Sequence, residues 1–157
     1  MPVICCCRSV SSVTAGAGNT ENVQYIIDNL EYIIGTTLEF NLEYDIANDP
    51  EADTTPSAVI IYSGEEFGEA FGEKPLYNEI TFEILVQFSD STPATIRSRS
   101  VDYMHSIREG VTIDTLNVGA LAASQIVSRV ESNSNDVVVE LPVIQINYIL
   151  TVRYREI

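Results

Sequence analysis

From Tyr77 to Phe88 the chain alternates over a long stretch. Ile80, Phe82, Ile84, Val86 and Phe88 fall on one side, with Glu79, Thr81, Glu83 and Gln87 between them. Successive side chains on a strand point to opposite faces, so this pattern predicts a strand with one buried face and one solvated face. At about 3.3 Å per residue it is on the order of 40 Å long. Such a strand needs a sheet around it and a second layer over its apolar side. Any length that outruns its neighbours becomes an open edge, which proteins either blunt or use to join other chains.

The other elements fit around that strand. Residues 1–18 end in Ser-Ser-Val-Thr-Ala-Gly-Ala-Gly and read as an N-terminal arm, leaving residues 19–157 as one domain. Asn19 and Thr20 are good N-cap residues, and Val23, Ile26, Ile27, Leu30, Ile33 and Ile34 form a helical stripe that Gly35 closes. Leu38, Phe40, Leu42 and Tyr44 alternate with Glu39, Asn41 and Glu43, a second strand pattern. A loop is expected over 45–56, a short central strand over 58–62, and a second loop over 64–75. Pro93 begins a helix whose inner stripe is Ile96, Ser100, Tyr103, Met104 and Ile107, ending at Gly110. Residues 111–118 read as loop or short strand, 122–131 as a strand, 132–136 as a turn, and 137–154 as a final strand broken only at Pro142. The expected fold is α+β, in the order α-β-β-β-α-β-β, a mostly antiparallel sheet with two helices on one face.

Charge narrows the function. The 157 residues carry 23 acids against 8 Lys and Arg, a net charge of −15. Between Ser9 and Glu73 there are 13 acids and no Lys or Arg, so the first half holds nearly all of the excess. Affinity for nucleic acid comes chiefly from Lys and Arg on phosphates, so tight DNA binding is not expected, although DNA could pass such a surface without sticking. No apolar run reaches about 18 residues, the length a membrane helix needs. The start Met-Pro-Val-Ile-Cys-Cys-Cys-Arg does not read as a signal peptide, and synthesis and residence in the cytoplasm are expected. Cys5, Cys6 and Cys7 are the only cysteines and have no partner elsewhere, so they define no disulfide framework.

Nothing in the sequence composes an active site. His105, the only histidine, has no nucleophile or carboxylate at a telling spacing. Asp45, Asp49, Glu51 and Asp53 imitate a calcium loop, but no glycine stands at the sixth place and Ile60 falls where a bidentate acid belongs. Gly64, Gly68 and Gly72 are no phosphate loop, because Glu65, Glu66, Glu69 and Glu73 would face the phosphate. No catalytic residue, cofactor or metal is expected. Phe67 and Phe71, set among those acids, are either satellite core or anchors for a partner. Arg97, Arg99 and Arg108 are expected to pair with the acidic half of a neighbouring subunit. Glu65, Glu66 and Glu69 belong to the same candidate interface, and Arg153 and Arg155 partly blunt the last strand.

The leading helix from Val23 to Ile34 is followed by a hairpin-like pair of strands and a long acidic loop. Then come Glu79-Ile-Thr-Phe-Glu-Ile-Leu-Val-Gln-Phe88, the Pro-started helix with Arg97 and Arg99, and the closing Ile146-Asn-Tyr-Ile-Leu-Thr-Val-Arg-Tyr-Arg155. Over residues 20–157 this order resembles the tail terminator, or tail completion, proteins of long-tailed bacteriophages. The resemblance implies a virion protein that forms a ring, usually of six subunits. That ring would cap the tail tube protein, end tail polymerisation, and meet the head–tail connector while DNA passes through its lumen. Another phage neck or connector component, a tail-tube subunit, or a small dimeric ligand-binding or regulatory domain are the alternatives.

Overall fold

The computed structural model describes residues 17–44, 55–68 and 77–155; of Ala17–Asn19 and Ser134 it describes the backbone only. Helix α1 (Ala17–Tyr32) runs into a π-helical turn at Ile33–Thr37. Strands β1 (Asn41–Glu43), β2 (Ser57–Glu66) and β3 (Tyr77–Ser89) follow. Helix α2 (Pro93–Gly110) and the single turn α3 (Ile113–Leu116) then precede β4 (Val127–Glu140) and β5 (Val143–Arg155). The strands lie side by side as β1-β2-β3-β5-β4. Only β1 and β2 are parallel; every other pair is antiparallel. The expected α+β class and order therefore hold.

The periodicities carried the core. On β5 every second residue is buried, Ile144, Ile146, Tyr148, Leu150, Val152 and Tyr154, none more than 2% exposed. Beside them lie Ile80, Phe82, Ile84, Val86 and Phe88 of β3. Ile26, Leu30, Ile33 and Ile34 from the first helical segment and Ile96 and Ile107 from α2 close over that face in one cluster. Burying each such side chain contributes about 1.5–3 kcal/mol, so this layer dominates stability. Asn117 locks the α3 segment to β4 from both sides: its amide donates to the Val127 carbonyl at 2.7 Å and its Oδ1 accepts the Val127 N–H at 2.8 Å.

Several local expectations fail. α1 begins at Ala17, ahead of the N-cap candidates Asn19 and Thr20, and Gly35 lies inside the π turn, where the Leu38 N–H reaches the Ile33 carbonyl at 2.8 Å. Glu39 takes the positive φ of 60° that redirects the chain, so only 41–43 of the alternating segment 38–44 joins the sheet, parallel to β2 and not as a hairpin. The 132–136 turn does not exist. Those Ser and Asn residues continue β4 through a bulge between Ser132 and Ser134, and their polarity suits an exposed outer strand. The reversal comes instead at Leu141-Pro142, joined by a cis peptide bond; Pro has no N–H for a ladder and sits in the turn. Residues 122–126 precede the strand, and 113–116 form a helical turn closed by a Thr112–Thr115 capping box.

Candidate functional site

Paired residues share a face, so the three antiparallel registers can be read straight across the sheet. One row on the face away from the helices runs Glu66, Glu79, Arg153, Arg129, from β2 through β3 and β5 to β4. It is polarised: two acids on the β2 side, two bases on the β4 side. These four line a shallow depression of about 300 Å³ with Phe67, Gly68 and Tyr77. The Arg153 guanidinium lies 4.6 Å above the Tyr77 ring centre, and Arg129 is ion-paired with Glu131 along its own strand.

Beneath this row a partly buried polar network holds the end of β2. Tyr154 Oη donates to Glu65 Oε2 at 2.6 Å, and Tyr62 Oη donates to Glu65 Oε1 at 2.8 Å. Asn78 Nδ2 donates to Tyr154 Oη at 3.2 Å, while the Gly68 N–H donates to Asn78 Oδ1 at 2.8 Å. A Cβ on residue 68 would stand 2.5 Å from the Tyr77 carbonyl oxygen, so only glycine permits this approach. Burial, and then the bond to Glu65, pushes the Tyr62 hydroxyl above its ordinary pKa. The network holds Glu65 inward and leaves Glu66 and Phe67 exposed.

The two sides of the sheet end differently. β1 pairs with Ser57–Val59 only, so beyond Val59 the outer edge of β2 has no strand partner among the described residues. β4 is the opposite edge along its whole length. Near the hairpin tip it exposes Val137, Val138 and Val139, and Leu141 follows at 60% exposure. Val137 and Val139 lie opposite Ile146 and Ile144 on the helix side; Val138 lies opposite Gln145 on the open side. Further down, an open groove of about 860 Å³ separates β4 from the end of α2 and from α3, with Arg108, Ile113 and Asp114 on one wall and Val130, Ser132 and Asn135 on the other.

The candidate interface residues scatter over this surface. Arg97 is exposed on α2, and Arg108 stands at the groove. Arg99 is engaged within its own chain: it reaches Asp90 at 3.3 Å, Tyr103 Oη at 2.9 Å and the Ser89 carbonyl at 3.2 Å, with its guanidinium 4.4 Å above Phe88. The Thr92 N–H first, with Arg99, holds the Asp90 carboxyl below its ordinary pKa. Arg153 joins the polarised row, and Arg155 donates to the Ser124 carbonyl. Phe67 is 70% exposed. Phe71, Glu69, the cysteine triplet and the acidic residues 45–53 lie outside the described residues. His105 is exposed on α2. Among the described residues no three metal-ligating side chains gather, and no helix is long and apolar enough to cross a membrane.

Sequence reasoning missed Arg129, Glu79 and the Val137–Val139 tip. The valine run carried a signal, since three consecutive residues cannot all face the core of a strand. Arg129 carried none until the register was known.

No known protein family and no curated protein matches the chain. Among solved structures, it aligns with a chain of the virion of a native gene transfer agent particle. The two are 15% identical, the alignment covers 92% of this chain and 99% of that one, and the TM-score is 0.46. At that level the likeness assigns no function.

Proposed function

We propose that this protein is a structural subunit of a phage-like virion, a tail terminator that closes into a ring on the tail tube. The observation that carries this reading is the pair of unlike edges, open among the described residues, on opposite sides of one sheet, β2 beyond Val59 and the whole of β4. Two different edges on one subunit suit a head-to-tail contact, and a head-to-tail contact that closes makes a ring. The element order and closing strand that resemble the tail terminators support the same reading, and with it six copies, a tail-tube partner and a head-connector partner. The net charge of −15 suits a lumen through which DNA slides without adhering. The task is geometric and needs no active site.

Native mass spectrometry of the purified protein, with negative-stain images of the same sample and of a mixture with tail tubes, tests this. Closed rings of six without filaments are expected. Long cylinders would indicate a tube subunit instead. A stable dimer that never forms rings, even with tubes, would overturn the proposal in favour of a ligand-binding or regulatory domain.

A further inference from the structure

We infer that the subunits join by extending the sheet, with β4 of one copy pairing antiparallel to the open part of β2 of the next, so that Arg129 lies opposite the neighbour's Glu66. This pairing rests on the ring reading above and specifies its contact.

Three features of the registers lead to it. The first is direction. β2 runs opposite to β3, β3 opposite to β5, and β5 opposite to β4, so β4 is antiparallel to β2 and a neighbour translated along the sheet presents the two edges antiparallel. The second is level. Reading across the rows, Glu66 aligns with Arg129, Glu65 with Val130, Gly64 with Glu131, Tyr62 with Ser132, Ile61 with Ser134, and Ile60 with Asn135. Both edges are irregular next to the row that contains Tyr62 and Ser132, β2 on its Gly64 side and β4 on its Ser134 side, and β4 is irregular again between Val127 and Arg129, beside the proposed pair. A bulge bends the strand that carries it, so both edges curve in this stretch.

The third is charge. Within one subunit the row reads acid, acid, base, base, from Glu66 to Arg129. Joined head to tail, the Arg153–Arg129 end of one copy meets the Glu66–Glu79 end of the next. Opposite charges directly across an antiparallel pair are favourable, and like charges there are unfavourable. The alternative of joining two β4 edges about a two-fold axis pairs a strand with itself and leaves β2 open. β1 occupies β2 at Ser57–Val59, so the Val137–Val139 end of the neighbour's β4 overlies β1 rather than pairing with β2. The exposed Tyr44 that follows β1 offers it an apolar surface.

The test is a charge swap in the full-length chain. Glu66→Arg and Arg129→Glu should each weaken ring formation by about tenfold per interface, because each sets like charges opposite one another. The double variant should restore it. All three should keep the wild-type circular dichroism and melting, since both side chains are exposed or at the rim of the sheet. As a second measurement, Glu66→Cys with Arg129→Cys, in a background with Cys5, Cys6 and Cys7 changed to Ser, should oxidise to a reducible ladder of oligomers. Directly opposed antiparallel residues stand at the Cα separations a disulfide accepts. If the wild type forms rings while neither reversal weakens them and no ladder appears, the pairing is overturned and the ring reading stands. If the wild type forms no ring, with or without tubes, the ring reading falls and takes the pairing with it.

Discussion

The two faces of one sheet are made by the same strands and do opposite work. On the helix side, β3 and β5 present an apolar surface, from Ile80 to Phe88 and from Ile144 to Tyr154, closed by α1 and α2. On the open side the same strands present Gln87, Gln145 and Asn147, joined by side-chain hydrogen bonds of 3.0 and 2.8 Å beside the buried Leu85, and further along the row from Glu66 to Arg129. One face is closed within the subunit. The other is patterned by charge and hydrogen bonding, which discriminate between partners better than apolar area does. The difference suggests that stability and assembly are separable here, residue by residue, along a single strand.

Adjacent substitutions on β3 would break that comparison most sharply. Phe82→Ala removes a fully buried ring and should cost about 3–5 kcal/mol in urea unfolding, enough to threaten the fold. Thr81→Ala, one step along and on the open face, should stay within about 0.5 kcal/mol. Comparable losses at both sites would mean the open face is also part of the core. A smaller effect belongs to the partly buried polar network around Tyr154. Tyr154→Phe keeps the packing but removes the hydroxyl that donates to Glu65 and accepts from Asn78, for a loss of about 1–3 kcal/mol. Tyr77→Phe, on the exposed face beneath Arg153, should be near neutral by the same melting assay.

The helix-side face was legible in the sequence because periodicity reports burial, and burial is what decides it. The stripes of α1, α2, β3 and β5 are all present where the spacing places them. The edges were not legible, because polarity has two causes that composition cannot separate. Ser132 to Asp136 is polar as a turn would be, yet it is an exposed outer strand with a bulge. Leu38 to Tyr44 alternates as a strand would, yet Leu38, Phe40 and Leu42 reach the core from a segment that mostly leaves the ladder. The candidate site depends on register. Glu66 and Arg129 are 63 positions apart in the chain and share a row only through two intervening strands, and no local pattern encodes that. Arg99 shows the reverse. Its charge alone suggested a partner outside the subunit, and the structure places Asp90 and two aromatic rings around it.

The smallest effects come from two carboxyls whose titrations shift in opposite directions, and they sharpen the same contrast between closed and open surroundings. Asp90, at the junction between β3 and α2, is held below its ordinary 3.8 by the Thr92 N–H and by Arg99. A depressed acid contributes stability that is present above its unfolded value and is lost as pH falls through the folded one. Glu31, on α1, is raised above its ordinary 4.5, first by burial and then by the charge of Asp28. Its charged form is disfavoured in the fold, so its stabilising contribution is full below the unfolded value and is lost as pH rises through the folded one. Melting temperatures measured from pH 7 down to 2.5 should therefore diverge by variant. Asp90→Asn should be less stable than the wild type at pH 7, with the gap narrowing in acid. Glu31→Gln should be slightly more stable at pH 7, with its advantage gone once the wild-type carboxyl is protonated. Two variants that shifted in the same direction at pH 7 would contradict this assignment, and the hydrogen bonds around Asp90 would then have to be doing less than their geometry implies.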